Sequence, residues 1–247
     1  DDASYYHLQV SSSSDFGTLE VNITLANINY SYSFSDGIWY WRVRVVDQAG
    51  NVGSWSNIWL FTVDTAPPSA PTLLSPENNA LLNSQLVIFD WTDVSDAKIY
   101  QLLISSDVSF VTVVLDVVVT SSSYSITLAD GTYYFKVRAC DDAGNYGDYS
   151  LTWKVTIDTT PPAVPTIIGP TNNSWFNYST ITFAWNELSD VNYYEFVLIN
   201  DTTHDEVVIT LEGTQLSLTL VDGCYYFKVR AVDKAVSYTH LTLPTKA

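Results

Sequence analysis

The sequence predicts an all-β protein built from tandem antiparallel β-sandwiches, and three observations carry this prediction. Short segments alternate apolar and polar residues, no segment follows a helical period, and the pattern recurs about every 94 residues along the 247-residue chain. Alternation over four to eight residues, bounded by turn residues, is typical of half-buried strands. Many short strands at regular spacing are typical of a β-sandwich.

The repeat is visible in two well-matched stretches. The first stretch recurs at an offset of 94, at residues 2–6, 96–100 and 190–194. The second recurs at residues 36–44, 130–138 and 222–230, and its last offset is 92. The third repeat has therefore lost two residues between strands.

Paired prolines mark the boundaries between repeats. Pro67-Pro68 and Pro161-Pro162 follow matching Asp-Thr dipeptides, and proline stiffens the chain and cannot donate to a sheet ladder. We therefore expect short, semi-rigid linkers. The predicted domains are a repeat lacking its first two strands at 1–66, a complete repeat at 67–160, a truncated repeat at 161–235 and a tail at 236–247.

Each predicted strand of the middle repeat has one apolar row facing inward and polar residues between. The inward rows are Val87, Phe89 and Trp91; Tyr124, Ile126 and Leu128; Tyr133, Phe135, Val137 and Ala139; and Trp153, Val155 and Ile157. We expect the tryptophans on such rows to be core residues: Trp41, Trp59, Trp91, Trp153 and Trp185.

These residues resemble the fibronectin type III pattern. Trp91 lies on the second strand, Tyr100-Gln101-Leu102 on the third, and Tyr133 with Phe135 on the sixth. The hairpins Asp47–Asn51 and Asp141–Asn145 are similar to those of such repeats in bacterial and archaeal surface proteins. The resemblance covers residues 1–235. It implies a secreted or surface-attached setting, while the fold by itself implies no particular function.

The third repeat breaks off after Asp233-Lys234-Ala235, where Gly-Asn would continue the hairpin. Residues 236–245 resemble a translated transposase adapter used in DNA sequencing, so we expect the chain from about residue 236 to be assembly read-through. The alternative is a divergent last strand, because Thr239, Leu241 and Leu243 alternate.

Composition excludes several classes of function. The net charge of −17, from 27 acidic against 10 basic residues, argues against a nucleic-acid partner. No apolar run is long enough for a membrane-spanning helix, and two cysteines cannot form a disulfide framework. No catalytic motif is present, and His7 and His204 occupy unrelated positions, with His7 expected at the solvated surface. We therefore expect a non-enzyme without a required cofactor.

Acidic residues give the one metal-site hypothesis. In this fold, the loops after the second and sixth strands lie at the end that receives the preceding linker. The residues expected to gather there are Asp64, Asp93, Asp96, Asp141, Asp142 and Asp148, and at the next junction Asp158, Glu187, Asp190 and Asp233. Such oxygen ligands could hold Ca²⁺. The competing interpretation is that these residues form turns and cap backbone amides.

Two further surface features carry alternatives. Trp175 and Phe176 lie in a predicted loop and could form a carbohydrate-binding platform. The outward side of the sixth strand of each repeat carries basic residues, interpreted as cross-strand pairing or as a recognition stripe. These residues are Arg42, Arg44, Lys136, Arg138, Lys228 and Arg230.

Together these features predict a fragment of a large extracellular or cell-surface protein that acts as a spacer, stalk, or adhesion and protein-interaction module. Its expected partners are neighbouring repeats of the same chain and a protein or glycan ligand, with no membrane span. The alternative is an accessory spacer or carbohydrate-binding region of a secreted hydrolase whose catalytic domain lies outside these residues.

Overall fold

The computed structural model describes residues 3–238, which contain strands and turns but no α-helix. The predicted all-β fold class is therefore confirmed. The described chain forms two compact units. One combines the N-terminal part through Ala70 with Val94–Ile99 and Arg138–Asp148, and the other holds Pro71–Asp93, Tyr100–Val137 and the chain from Tyr149 onward.

The N-terminal sheet has four antiparallel strands in the order β2-β1-β3-β4. Its strands are β1 Ala3–Ser11, β2 Val21–Leu25, β3 Gly37–Asp47 and β4 Trp59–Val63. Val10, Val21 and Trp39 are buried on this sheet. The ring of Phe34 packs 4.9 Å from that of Trp39 and covers part of the face.

The middle part of the chain forms a three-stranded and a five-stranded sheet, in the orders β10-β7-β5 and β6-β12-β11-β8-β9. Its strands are β5 Leu73–Ser75, β6 Ala80–Leu82, β7 Leu86–Trp91, β8 Ile99–Ser105, β9 Val113–Val119, β10 Ser123–Thr127, β11 Gly131–Cys140 and β12 Trp153–Ile157. Phe89 on β7 and Phe135 on β11 meet edge to face at 4.8 Å, and neither is exposed. The two sheets thus form the predicted sandwich.

The C-terminal part repeats this arrangement with two three-stranded sheets, β13-β14-β17 and β16-β15-β18. Its strands are β13 Ile167–Gly169, β14 Thr180–Trp185, β15 Tyr193–Asn200, β16 Glu206–Leu211, β17 Gln215–Thr219 and β18 Tyr225–Val232. Phe183 lies 4.9 Å from both Phe196 and Phe227, so these sheets also enclose one core.

Two segments differ from their counterparts in the middle sandwich. Residues 29–33 correspond to β10 but form no strand, although Tyr30 and Tyr32 keep the alternation. Residues 174–176 correspond to β6 and also form no strand. In the middle sandwich β10 pairs with β7, and β6 pairs with β12. Neither segment has a described partner strand, and a strand requires one for its backbone groups.

The expectation that Trp59 is a core residue is wrong, because its side chain is 66% exposed. Trp59 shares the face of Trp41, with ring centroids 6.0 Å apart, but within residues 3–63 no second sheet covers that face. Trp91 and Trp185, each of which lies between two described sheets, are 1% and 2% exposed, as predicted. Trp41 and Trp153 are half-buried.

The compact units do not coincide with the three predicted repeats, so the domain boundaries stay a prediction. One unit joins the linker before Ala70 to the loop Arg138–Asp148. Residues 239–247, which hold most of the tail expected to be adapter-derived, lie outside the described residues.

Candidate functional site

The turn between β11 and β12 is built around a single carboxylate. The backbone N–H of Asn145 donates to Oδ1 of Asp141 at 2.8 Å, and its side-chain Nδ2 donates to Oδ2 at 2.9 Å. Gly144 supplies a φ of +93°, in the left-handed region that glycine adopts without steric cost. Burial acts to raise the pKa of Asp141, but the hydrogen bonds from Asn145 outweigh it and the pKa is lowered.

The turn between β3 and β4 repeats this geometry. Asn51 donates to both carboxylate oxygens of Asp47 at 2.7 Å, and Gly50 has a φ of +87°. The side-chain hydrogen bond from Asn51 lowers the pKa of Asp47. These two aspartates therefore act as acceptors for backbone and side-chain amides, as the turn interpretation predicted.

The side chain of Asn145 also contacts the linker that precedes the middle sandwich. Nδ2 of Asn145 donates to the backbone carbonyl of Asp64 at 2.9 Å. The approach is close enough that a Cβ on Gly147 would lie 2.2 Å from the carbonyl oxygen of Pro68. Glycine is therefore required where the Pro-Pro segment passes this turn.

A second carboxylate holds the linker from the strand side. Oδ1 of Asp36 accepts from the backbone N–H of Thr65 at 3.1 Å and from its hydroxyl at 2.9 Å. We call the set Asp36, Asp141 and Asn145, acting on Asp64 and Thr65, the first linker clamp. Both groups lie within the same compact unit.

A second linker clamp repeats the first, with Asp130, Asp233 and Ser237 acting on Asp158–Thr160. Asp130 accepts from the backbone N–H of Thr159 at 3.0 Å and from its hydroxyl at 2.8 Å. The hydrogen bond from the Thr159 amide lowers the pKa of Asp130. The hydroxyl of Ser237 donates to the carbonyl of Asp158 at 3.3 Å.

The second clamp is incomplete at Asp233. The backbone N–H of Ser237 donates to its Oδ1 at 2.8 Å, but Oδ2 is buried without a hydrogen-bond partner. Serine occupies the place of Asn145 and has no second donor for that oxygen. Val236 replaces Gly144 and has a φ of +65°, which is strained for a β-branched residue.

The carboxylates proposed as calcium ligands are arranged differently from a metal site. Asp142 forms an ion pair with Lys98 at 3.0 Å, and Oδ1 of Asp64 accepts from the N–H of Ala66. Asp93 and Asp96 are exposed. Within residues 3–238 no group of three or more His, Cys, Asp or Glu side chains is placed to hold a metal ion. Calcium binding stays a prediction.

The basic residues of the outward face pair across strands and also stack on aromatic rings. Arg42 donates to Gln9, its partner across β1 and β3. The guanidinium of Arg42 lies 3.9 Å from the centroid of the Phe16 ring and 4.4 Å from that of the Trp55 ring. The guanidinium of Arg44 lies 4.3 Å from the centroid of the same Trp55 ring. Cross-strand pairing was predicted, but the stacking was not.

The stacking recurs along the chain. In the middle sandwich the Lys136 ammonium lies 4.1 Å from Phe110 and 4.5 Å from Tyr149. Phe110 lies 94 residues after Phe16, and Tyr149 lies 94 residues after Trp55. The sequence repeat could therefore have revealed the stacks. Arg230 combines a stack on Tyr238 with an ion pair to Glu195 at 2.8 Å. The hydrogen bond to Glu195 raises the pKa of its guanidinium.

His7 differs from the expected solvated surface residue, because both ring nitrogens are engaged. Nδ1 accepts from Nε of Arg44 at 3.2 Å, and Nε2 lies 2.6 Å from Oδ1 of Asn22. Its ring also lies 5.1 Å from that of Trp55. His7, which lies on β1, thus contacts both Arg44 and the Trp55 ring on which Arg44 stacks.

Trp175 and Phe176, the proposed ligand-binding residues, lie on the surface. Trp175 is 96% exposed, and Phe176 meets Tyr178 edge to face at 5.4 Å. They occupy the segment that corresponds to β6.

Comparison with solved structures finds similarity to fibronectin type III domains. The chain is similar to the chicken CNTN1 FN1–FN3 domains, with 14% identity over 98% of this chain and 87% of that chain and a TM-score of 0.42. It is also similar to fibronectin(III)-like modules of Clostridium thermocellum CbhA, with 16% identity over 70% of this chain and 90% of that chain and a TM-score of 0.45. No family model matches the sequence, and no curated protein matches it.

At these identities and TM-scores the likeness carries no argument about this chain. The assignment of tandem β-sandwiches rests on the strand orders given above. Within residues 3–238 no helix has the length and apolar character that crossing a membrane demands.

Proposed function

We propose that this chain is a non-catalytic spacer of a larger extracellular or cell-surface protein, in which docked linkers hold successive sandwiches. The observation that carries the proposal is the linker clamp. At the first linker the carboxylate of Asp36 binds Thr65 and the side-chain amide of Asn145 binds the carbonyl of Asp64. At the second linker the carboxylate of Asp130 binds Thr159. A flexible tether needs no such contacts, whereas a stalk gains stiffness from every backbone group that is fixed.

Hydrogen exchange at the linker tests this proposal. Asn145→Ala removes the donor to the Asp64 carbonyl and is expected to speed exchange of the Thr65 and Ala66 amides. Asn51→Ala is the matched control, because Asn51 makes the same turn contacts to Asp47 but no linker contact among the described residues. Equal exchange at Thr65 in both variants would contradict a role for the clamp.

A glycan-binding role is the second candidate, supported by the full exposure of Trp175 beside Phe176 and Tyr178. Sugar rings stack on such exposed aromatic faces. This role suits an adhesion module or an accessory region of a secreted hydrolase. Binding on a glycan array that is lost on Trp175→Ala, but kept on Trp59→Ala, would support it. An array without signal for the parent chain would exclude it for the glycans tested.

We also propose that the residues after Ala235 are not native to this protein. Val236 and Ser237 stand where the other two turns have Gly-Asn, so the third turn has a β-branched residue at a φ of +65° and leaves Oδ2 of Asp233 without a donor. Sequencing the gene without adapter-based fragmentation tests this, and recovery of residues 236–245 unchanged would refute it.

A further inference from the structure

The outward face of β1 and β3 carries two guanidinium groups that no described carboxylate neutralises. Arg42 and Arg44 lie at alternate positions of β3, so both side chains lie on the same face of the sheet. Within residues 3–238 neither forms an ion pair, although the whole chain has 27 acidic and 10 basic residues. These two adjacent cations are therefore available to an anion from outside the chain.

Aromatic stacking holds both groups and leaves hydrogen-bond donors exposed at their edges. The centroid of the Trp55 ring lies 4.4 Å from the guanidinium of Arg42 and 4.3 Å from that of Arg44. Stacking uses the flat face of a guanidinium, whereas carboxylates bind the N–H groups at its edge. Nε of Arg44 donates to His7, but no described acceptor binds its Nη1 or Nη2. A carboxylate can bind there without displacing the stack.

The third repeat shows which group binds a guanidinium at this position. Arg230 and Glu195 face each other across β18 and β15, as Arg44 and His7 do across β3 and β1. The Glu195 carboxylate lies 2.8 Å from Nη2 of Arg230, whose guanidinium also lies 4.0 Å from the centroid of the Tyr238 ring. This position thus combines an aromatic stack with a carboxylate. In the N-terminal sheet it has the stack alone, because His7 stands where the acid would be.

The spacing of the two cations favours an extended peptide as the source of the carboxylate. Alternate residues of a strand are about 6.6 Å apart, and the same spacing holds in an extended peptide that lies along β3. Arg42 also keeps an uncompensated charge, because it donates to the neutral side chain of Gln9. The net charge of −17 repels a densely charged polyanion. A peptide with acids at alternate positions therefore matches this face.

We propose that Arg42, Arg44, Trp55 and His7 form a binding site for an extended peptide segment that carries carboxylates at alternate positions. One carboxylate binds the open edge of Arg44, and the next binds Arg42. The Trp55 ring orients both guanidinium groups, and the neutral acceptor on His7 leaves the charge of Arg44 available. This interaction goes beyond the spacer role and does not depend on it.

An NMR titration of the full chain tests the proposal, with the indole N–H of Trp55 and the Nε–H of Arg44 as reporters. The probe is Gly-Glu-Ser-Glu-Gly with blocked termini, and Gly-Gln-Ser-Gln-Gly is its uncharged control. At constant ionic strength we expect saturable shifts of both reporters with the first peptide and none with the second. An oligogalacturonate at equal carboxylate concentration should bind more weakly. Tighter binding of that sugar would overturn the assignment to a peptide.

Two substitutions at His7 separate binding from folding. His7→Glu supplies Arg44 with an internal carboxylate, as Glu195 does for Arg230, and should weaken peptide binding about tenfold or more. His7→Gln introduces the residue that the middle repeat has at this position, and should leave the affinity within about twofold of the parent. Absence of saturable binding by the parent chain, or equal affinity of the two variants, would overturn the proposal. The linker exchange experiment uses other residues, so either proposal can fail alone.

Discussion

Asp233 shows how one residue pair determines whether a turn is satisfied. In the first two turns an asparagine donates to both oxygens of the turn aspartate, after a glycine at positive φ. In the third turn Ser237 leaves Oδ2 of Asp233 unpaired in a residue that is 1% exposed. A buried polar atom without a partner lowers stability.

Restoring the turn should stabilise the third sandwich. Val236→Gly with Ser237→Asn relieves the positive φ and supplies the missing donor, so we expect the free energy of unfolding to rise by about 1–3 kcal/mol. Urea denaturation of that sandwich measures the change. The reverse pair, Gly144→Val with Asn145→Ser, should destabilise the second sandwich similarly. No stabilisation by the first pair would show that the unpaired oxygen costs little.

The aspartates that accept hydrogen bonds from amides predict a loss of stability in acid. Hydrogen bonds from the Thr159 amide and from Asn51 lower the pKa values of Asp130 and Asp47. A group whose pKa is lower in the folded state stabilises the fold above its unfolded pKa, and this contribution is lost as the pH falls through the folded pKa. The melting temperature should therefore decrease when the pH is lowered below about 4.

Asp130→Asn isolates this effect, because asparagine keeps one acceptor but does not titrate. Its melting temperature should be lower than that of the parent near neutral pH and should decline less between about pH 4 and pH 2. Asp205→Asn, at an exposed acid without a hydrogen bond to its carboxylate among the described residues, is the control. Parallel pH curves for the parent and Asp130→Asn would refute the prediction.

At the scale of elements, strand position fixes the face of a side chain, and the opposing sheet fixes its burial. Trp185 packs in a T-shaped contact on Tyr194 at 5.6 Å, between two sheets. Trp59 lies on a sheet face that no described strand covers. The same residue type therefore contributes differently to stability.

Alanine substitution should reveal this difference. We expect Trp185→Ala to lower the free energy of unfolding of its sandwich by about 3–5 kcal/mol, because it leaves a large cavity. Trp59→Ala should change the stability of its sheet by less than about 1 kcal/mol. Guanidinium denaturation followed by circular dichroism measures both. A cost for Trp59→Ala as large as that for Trp185→Ala would mean that its face is covered.

For the whole molecule, charge is the dominant electrostatic feature. The 27 acidic residues exceed the 10 basic ones, and six of those basic residues lie along β3, β11 and β18. Self-repulsion of this kind keeps a protein in solution but destabilises compact states. The cation–π stacks and cross-strand pairs place the scarce positive charges on one strand type.

Added salt should therefore stabilise the protein. Raising NaCl from about 20 mM to about 0.5 M screens the repulsion, and the melting temperature should rise by a few degrees, measured by calorimetry. A fall would indicate that screened ion pairs, such as Arg230–Glu195, outweigh the repulsion.

Much of the fold follows from local pattern. The alternating rows gave the strand positions and the inward side chains of the middle and C-terminal sandwiches. The 94-residue offset identified which strands of the repeats correspond to one another. The Asp-x-Ala-Gly-Asn turns were visible as well, because their conformation depends on residues only four apart. The cross-strand role of the basic residues followed from alternation.

Tertiary structure alone determined which of these elements are complete. Alternation in residues 29–33 predicts a strand as strongly as it does in β10, but a strand exists only where a neighbour accepts its hydrogen bonds. Likewise alternation places Trp59 on an inward row, but its burial depends on a facing sheet, and no described strand covers that face. The linker clamps join residues about 80 positions apart, such as Asp64 and Asn145, and contacts of that separation depend on how the chain folds back on itself.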